Sequence, residues 1–406
     1  MRPRRKIAPP RVSRVIDAPD LTDPGFVDDP YPWFAAARAE SPMVWHEATG
    51  QWLAVTFDAA NAVLRSRALG RLWHDREPAD VLEPFNLLHR HQMMENEPPD
   101  HARLRRLVAA AFNRGHVERL RPRVRELAVG LLDRIDGAGS FDVLADYAEP
   151  LPVAVIAELL GVPEADRHLL RPWSAAIVRM YEYARPPEVE PAAVSAANEF
   201  AAYMRELAGE RAKTPRDDLV SDLARAAEDG ERLTDDELVA SAILLLNAGH
   251  EASVNAFGNG LVALLHRPDE LARLRSEPAL TETAIEEMIR YDAPLQLFER
   301  TAKTDTTIAG VHIPAGGRAA ALLGAANRDP AAFSDADRLH VARTPNNHLG
   351  FGAGIHHCLG APLARMELQI TLPLLLERFP SLELAAEPKR RPTFVLRGFE
   401  AVHLST

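Results

Sequence analysis

Apolar positions along this chain recur mostly at helical spacing. After Pro122, whose fixed φ and missing N–H suit a first helical position, Val124, Leu127, Leu131, Leu132 and Ile135 fall on one face. A longer pattern opens at Thr234-Asp235-Asp236-Glu237, a capping box in which hydroxyl and carboxylate each satisfy an orphan backbone amide. It continues to His266, just before Pro268, so it spans about 32 residues, or roughly 48 Å, enough to cross a whole domain. Its middle, Ala242 to Val254, is apolar on nearly every side except at Asn247, His250, Glu251 and Ser253. Such a helix belongs in a core, and its central polar groups need partners or a function, because unpaired burial costs about 1–3 kcal/mol each. Ala361 to Phe379 forms another helical run. Trp52 to Thr56 reads as a short strand behind the Pro-rich entry Asp29 to Pro32. The pattern predicts a mainly α fold, a single large helical domain with a minor β region.

Composition narrows the class. Hydrophobic residues make up 47% of 406 and charged residues 26%, ordinary globular usage, while 32 prolines imply many interrupted helices. A net charge of -11 disfavours nucleic acid as a partner, since wrapping phosphate needs a basic surface. Four basic residues crowd Met1 to Lys6, but no apolar run of signal or membrane-spanning length follows Ile7. We expect a frayed arm over residues 1–27, one domain over 28–406, and a monomeric cytoplasmic protein. No internal repeat or glycine-rich phosphate loop suggests a nucleotide domain. A lone cysteine, Cys358, excludes an internal disulfide and any multi-thiolate cluster built by this chain alone, but leaves a single thiolate ligand possible.

That cysteine lies in Phe351-Gly352-Ala353-Gly354-Ile355-His356-His357-Cys358-Leu359-Gly360. Gly352, Gly354 and Gly360 permit a tight turn with backbone amides directed at the sulfur, and the following helix start favours a thiolate. Phe351 would shield it from water. Other readings are a buried structural cysteine, or a zinc site from His348, His356, His357 and Cys358.

The stretch matches every fixed position of Phe-x-x-Gly-x-x-x-Cys-x-Gly and resembles the haem-binding loop of the cytochrome P-450 family. The resemblance covers nearly the whole chain, about Asp28 to Phe399. It implies the P-450 fold, with haem b held by Cys358 between the long distal helix and the helix after the cysteine. Glu287 and Arg290 resemble the family's Glu-x-x-Arg scaffold motif. His101, Arg105, Arg300 and His356 match positions that bind haem propionates. Ala248-Gly249-His250-Glu251-Ala252-Ser253 resembles the oxygen-binding segment, in which Ala248 and Gly249 would leave room for O₂ and Glu251 suits a proton relay or, equally, a structural ion pair.

The chain departs from the family at Ala252, where most members carry a threonine whose hydroxyl helps deliver the protons needed for O–O cleavage. Ser253 sits about 100° round the helix and should face elsewhere. Substrate assistance by a hydroxyl and water is the preferred repair, implying an oxygenated, natural-product-like substrate. The implied activity is ferredoxin-dependent monooxygenation, hydroxylating or epoxidising a small organic molecule. Alternatives are an oxidative-coupling or peroxide-driven enzyme, a haem protein that binds ligands without turnover, and a non-haem helical protein with chance motifs. No electron-transfer domain fits within the chain, so a separate ferredoxin and reductase are implied; Arg106, Arg114 and Arg365 could face them or form an ordinary solvated surface.

By the same resemblance, access segments are expected at Leu69 to Met94, Pro172 to Pro187, Ala293 to Phe298 and near Phe394. An apolar pocket would draw on Phe85, Leu87, Leu88, Ile177, Met180, Leu244, Leu245, Leu295, Leu297, Phe298, Phe394 and Val395, although each also suits plain packing.

Overall fold

A computed structural model describes residues 18–406 apart from 112–113, 226 and 229–230, and side chains outside 110–116 and 226–231. Its backbone is mainly helical, with the largest sheet five-stranded. The long helix runs Asp235–Leu265 with Thr234 as N-cap: the Glu237 N–H donates to Thr234 Oγ1 at 3.3 Å and the Thr234 N–H to Glu237 Oε2 at 2.9 Å. It crosses the core among the helices Pro150–Leu160, Arg167–Val178, Val189–Lys213 and Thr281–Tyr291. Contact with the last is close enough that a Cβ on Gly260 would fall 2.5 Å from Met288 Cβ, which cannot swing away, so glycine is needed there.

The sheet orders its strands Met43–His46, Gln51–Ala54, Arg318–Leu322, Leu297–Ala302 and Leu69–Gly70. Only the pairing of Gln51–Ala54 with Arg318–Leu322 is parallel; the other pairings are antiparallel. The expected strand at Trp52 therefore forms one residue earlier, and it ends before Thr56 because the Thr56 side chain caps the next helix by accepting from the Ala59 N–H.

Two expectations need correction. Pro122 does not begin a helix: it sits inside Arg114–Ile135, whose apolar face continues through it. The packed chain also starts before residue 28. Leu21, Phe26 and Val27 are buried, and Phe26 meets Phe394 with ring centroids 5.1 Å apart. Residues 1–17 of the expected arm lie outside the described residues.

Helix Thr281–Tyr291 carries Glu287 and Arg290, both with fully buried side chains. Arg290 donates to the carboxylate from Nε at 2.7 Å and from Nη2 at 2.9 Å. Arg343, which the sequence reading did not single out, donates to the same carboxylate from Nε at 2.9 and 3.1 Å, and the His340 N–H adds a bond at 2.8 Å. The remaining guanidinium donors grip the carbonyls of Asn327, Ser334, Asp335, Ala336 and Arg338. This network ties the segment ahead of the cysteine loop to the core. Arg290→Met removes one cation from a buried pair and should cost about 3–5 kcal/mol, read as a lower urea midpoint; an unchanged midpoint would show that Arg343 alone suffices.

Candidate active site

The cysteine loop is closed by the Cys358 N–H donating to the Phe351 carbonyl at 2.9 Å. Gly352 and Gly354 adopt φ of +69° and +73°, and a Cβ on Gly354 would also lie 2.5 Å from the Leu64 carbonyl oxygen, so residue 354 must be glycine twice over. Gly360 has an ordinary φ of -78°; its contribution is its N–H, which with that of Ala361 points at the sulfur where helix Ala361–Arg378 begins. Cys358 is exposed because its sulfur faces an open cavity, yet the surrounding protein is dense enough that burial pushes its pKa up. The amides of Gly360 and Ala361, then Arg105 and Arg365, pull it back. Phe351 borders the same cavity, with the Arg365 guanidinium 4.4 Å from its ring centroid.

The cavity, about 2530 Å³ and open to the surface, brings Cys358 together with Ala248, Gly249, Glu251 and Ala252 of the long helix. A Cβ on Gly249 would meet nothing within 4 Å, so the helix presents bare backbone there. Ser253, expected to face elsewhere, also borders the cavity, which is broad enough to reach round the helix. Glu251 accepts from Arg391 Nη1 at 3.1 Å, and Arg391 also reaches Glu149 at 3.3 Å, so this carboxylate both faces the cavity and belongs to an ion-pair chain. Asn247 is buried with its Oδ1 unpartnered, and His250 has neither ring nitrogen bonded.

His101, Arg105, Arg300 and His356 all line this cavity. His101 is buried with Nε2 unpartnered; burial, then His356 and Arg105, hold its pKa down at about 4. Arg300 is 3% exposed with no carboxylate in ion-pair contact among the described residues, and burial with repulsion from Arg71 lowers its pKa to about 9. His356 is already engaged, its Nε2 2.9 Å from Glu97 Oε1. Burial would raise Glu97, but bonds from His356, Lys303 and the Arg71 N–H hold it at about 2. An unsatisfied imidazole and an uncompensated buried guanidinium are donors that two haem propionates would satisfy, so the residues present fit haem b. Sequence reading missed Arg71, Glu95 and Glu97. Arg71 pairs with Glu95, and Arg71 and Arg300 lie 4.7 and 4.8 Å from the centroid of the Phe298 ring.

The zinc alternative fails on geometry. His348 turns to Glu286 at 3.1 Å and His356 to Glu97, and no metal-binding cluster forms among the described residues. Of the apolar residues considered for a pocket, Met180, Leu244, Leu245, Leu295, Leu297, Phe298 and Val395 line the cavity. Phe85, Leu87, Leu88, Ile177 and Phe394 do not: Phe85 stacks on His89 at 4.0 Å, and Phe394 packs on Phe26. Their apolar faces serve the helix and strand packing instead. Of the basic residues considered for a partner, Arg365 is spent on Glu286 through two bonds of 2.7 Å, and the Arg114 side chain lies outside the described residues.

The family model for Cytochrome P450 matches residues 174–398. A Streptomyces venezuelae protein, cytochrome P450 monooxygenase PikC, is 41% identical over 387 residues, covering 93% of this chain and 91% of its own. The chain belongs to the cytochrome P450 family. 6-Deoxyerythronolide B hydroxylase of Saccharopolyspora erythraea is 37% identical over 401 residues, covering 94% of this P450 and 97% of its own length. Among solved structures, P450BioI in complex with hexadec-9Z-enoic acid ligated acyl carrier protein superposes with a TM-score of 0.90 at 35% identity, covering 94% of this chain and 99% of that one. P450 proteins bind haem b through a cysteine thiolate, and this one is a haem-thiolate monooxygenase. Among the described residues no helix is long and apolar enough to cross a membrane.

Glu367, on the cysteine helix, lines the cavity without a cation in ion-pair contact among the described residues, and burial pushes its carboxyl up to about 8. Folded protein then holds a proton that the unfolded chain, near 4.5, has released. Stability should be fully present below about 4.5 and fall as pH rises toward 8, by up to a few kcal/mol. Glu367→Gln should flatten that decline in a thermal-melt series; an identical pH profile in the variant would show that Glu367 is ionised in the fold.

Proposed function

We propose that this P450 inserts oxygen into a small, oxygenated, natural-product-like molecule in the cytosol, with electrons from a separate ferredoxin and its reductase. The observation that carries the reading is the common cavity joining the Cys358 sulfur to Ala248, Gly249 and Ala252 on the buried helix. Haem b bound through Cys358 supplies the O₂ chemistry. The chain's own residues do the rest. The Gly360 and Ala361 amides, with Arg105 and Arg365, hold negative charge on Sγ. His101, Arg105 and Arg300 would hold its propionates.

Proton delivery is the distinctive step. Glu251 faces the cavity with its carboxylate paired to Arg391, and Ala252 offers no hydroxyl to carry a proton onward. A substrate hydroxyl with a bound water takes that place, which is why an oxygenated substrate is favoured. Relatives named mycinamicin IV hydroxylase/epoxidase and 6-deoxyerythronolide B hydroxylase support the class.

The test compares a hydroxylated macrolactone with its deoxy analogue, reading product formed per electron pair consumed. The hydroxylated compound should be well coupled and the deoxy analogue should lose about tenfold or more to hydrogen peroxide release. Ala252→Thr should restore coupling for the analogue. Equal coupling of both compounds in the wild type, lost on Ser253→Ala, would instead place the relay on Ser253, which borders the same cavity.

A further inference from the structure

Arg76 and Arg185 both line the cavity and converge on one acceptor, the Met180 carbonyl oxygen, from Nη1 at 3.0 and 3.2 Å respectively. Among the described residues neither has a carboxylate within ion-pair distance. Of the carboxylates that act on Arg76, Glu95 pairs with Arg71, and Glu190, which lines the same cavity, makes no ion pair with either arginine. Two guanidinium groups on one neutral oxygen repel each other, and burial, then Arg185, lower the Arg76 pKa. Each guanidinium keeps most of its five donors unspent.

Arg76 is also held in place. Asn86, fully buried, spends both ends of its carboxamide on the backbone of that one residue: Oδ1 accepts from the Arg76 N–H at 2.9 Å and Nδ2 donates to the Arg76 carbonyl at 3.0 Å. The guanidinium then lies 5.0 Å from the Phe85 ring centroid. A buried amide devoted to fixing an arginine at a cavity rim, beside a second unpaired arginine, is a prepared anion site.

We infer that Arg76 and Arg185 anchor an oxyanion, a carboxylate or phosphate, on the substrate at the cavity rim, leaving the remainder of the molecule to enter the apolar interior. The inference rests on the haem-site reading only for where the other end of the substrate lies. It narrows the substrate class to anionic molecules, or to those carrying an anionic tether.

The experiment titrates the haem-loaded protein with ω-imidazolyl alkanoic acids of graded chain length and with 1-alkylimidazoles of the same lengths. Imidazole ligation gives an absorbance shift, and only the acids carry the anion. At the best length the acid should bind about tenfold or more tighter than its neutral counterpart. In Arg76→Gln/Arg185→Gln that gap should close while affinity for the alkylimidazole is unchanged, and Arg76→Lys should keep most of it. No gap in the wild type at any length, or an undiminished gap in the double variant, overturns the proposal. Calorimetry of the same pairs reads binding without the haem spectrum. If 1-alkylimidazoles give no shift while calorimetry still separates acid from neutral compound, the haem placement has failed and the anion site stands. Alkyl phosphates in competition distinguish a phosphate-bearing tether from a carboxylic acid, by which displaces the probe at lower concentration.

Discussion

One fully buried carboxylate, Glu287, satisfies two buried guanidinium groups, and the arrangement of the site follows from it. Arg290 alone would form a pair of doubtful net value, because desolvating two charges offsets most of their attraction. With Arg343 added, and five backbone carbonyls taking the remaining N–H groups, the cluster fastens the loops around 327–346 to helix Thr281–Tyr291. Those loops lead directly into Phe351-Gly352-Ala353-Gly354. The turn can then hold two left-handed glycines, Gly354 of them against the Leu64 carbonyl, and deliver Cys358 to the start of a helix, where amides meet its sulfur.

The long helix was legible because its signals are local: a capping box at Thr234, an unbroken apolar body, and a proline just past its end. The cysteine loop was legible for the same reason, since its glycines and its cysteine are fixed by one turn. What escaped the sequence was set by contacts between distant segments. Arg343 joins Glu287 across 56 positions, and Glu97 reaches His356 across 259. No spacing rule shows such pairs. Pocket residues failed in the same way: Phe85 and Met180 look alike in sequence, but one stacks on His89 and the other faces the cavity. Pro122 misled because a proline inside a helix and one at its start differ only in what precedes them.

Charge organises the cavity into distinct regions. Around the cysteine, amides and arginines favour a negative sulfur. Beside it, His101 and Arg300 are cationic or donor groups short of acceptors. Farther along the cavity, Arg76 and Arg185 share the Met180 carbonyl and are a second pair short of acceptors. On the distal side the helix offers the methyl groups of Ala248 and Ala252 and the bare backbone of Gly249. Under the two proposals above, specificity and catalysis would be linked: a molecule oriented by its charged end would also present its hydroxyl beside Ala252.

The most direct test of the central claim is the carbon monoxide difference spectrum of the reduced protein. A thiolate from Cys358 on haem iron gives a Soret band far to the red of that of histidine-ligated haems, and Cys358→His should abolish that band while haem is retained. A wild-type spectrum without the shifted band, or a variant that keeps it, would contradict the assignment of Cys358 as the axial ligand.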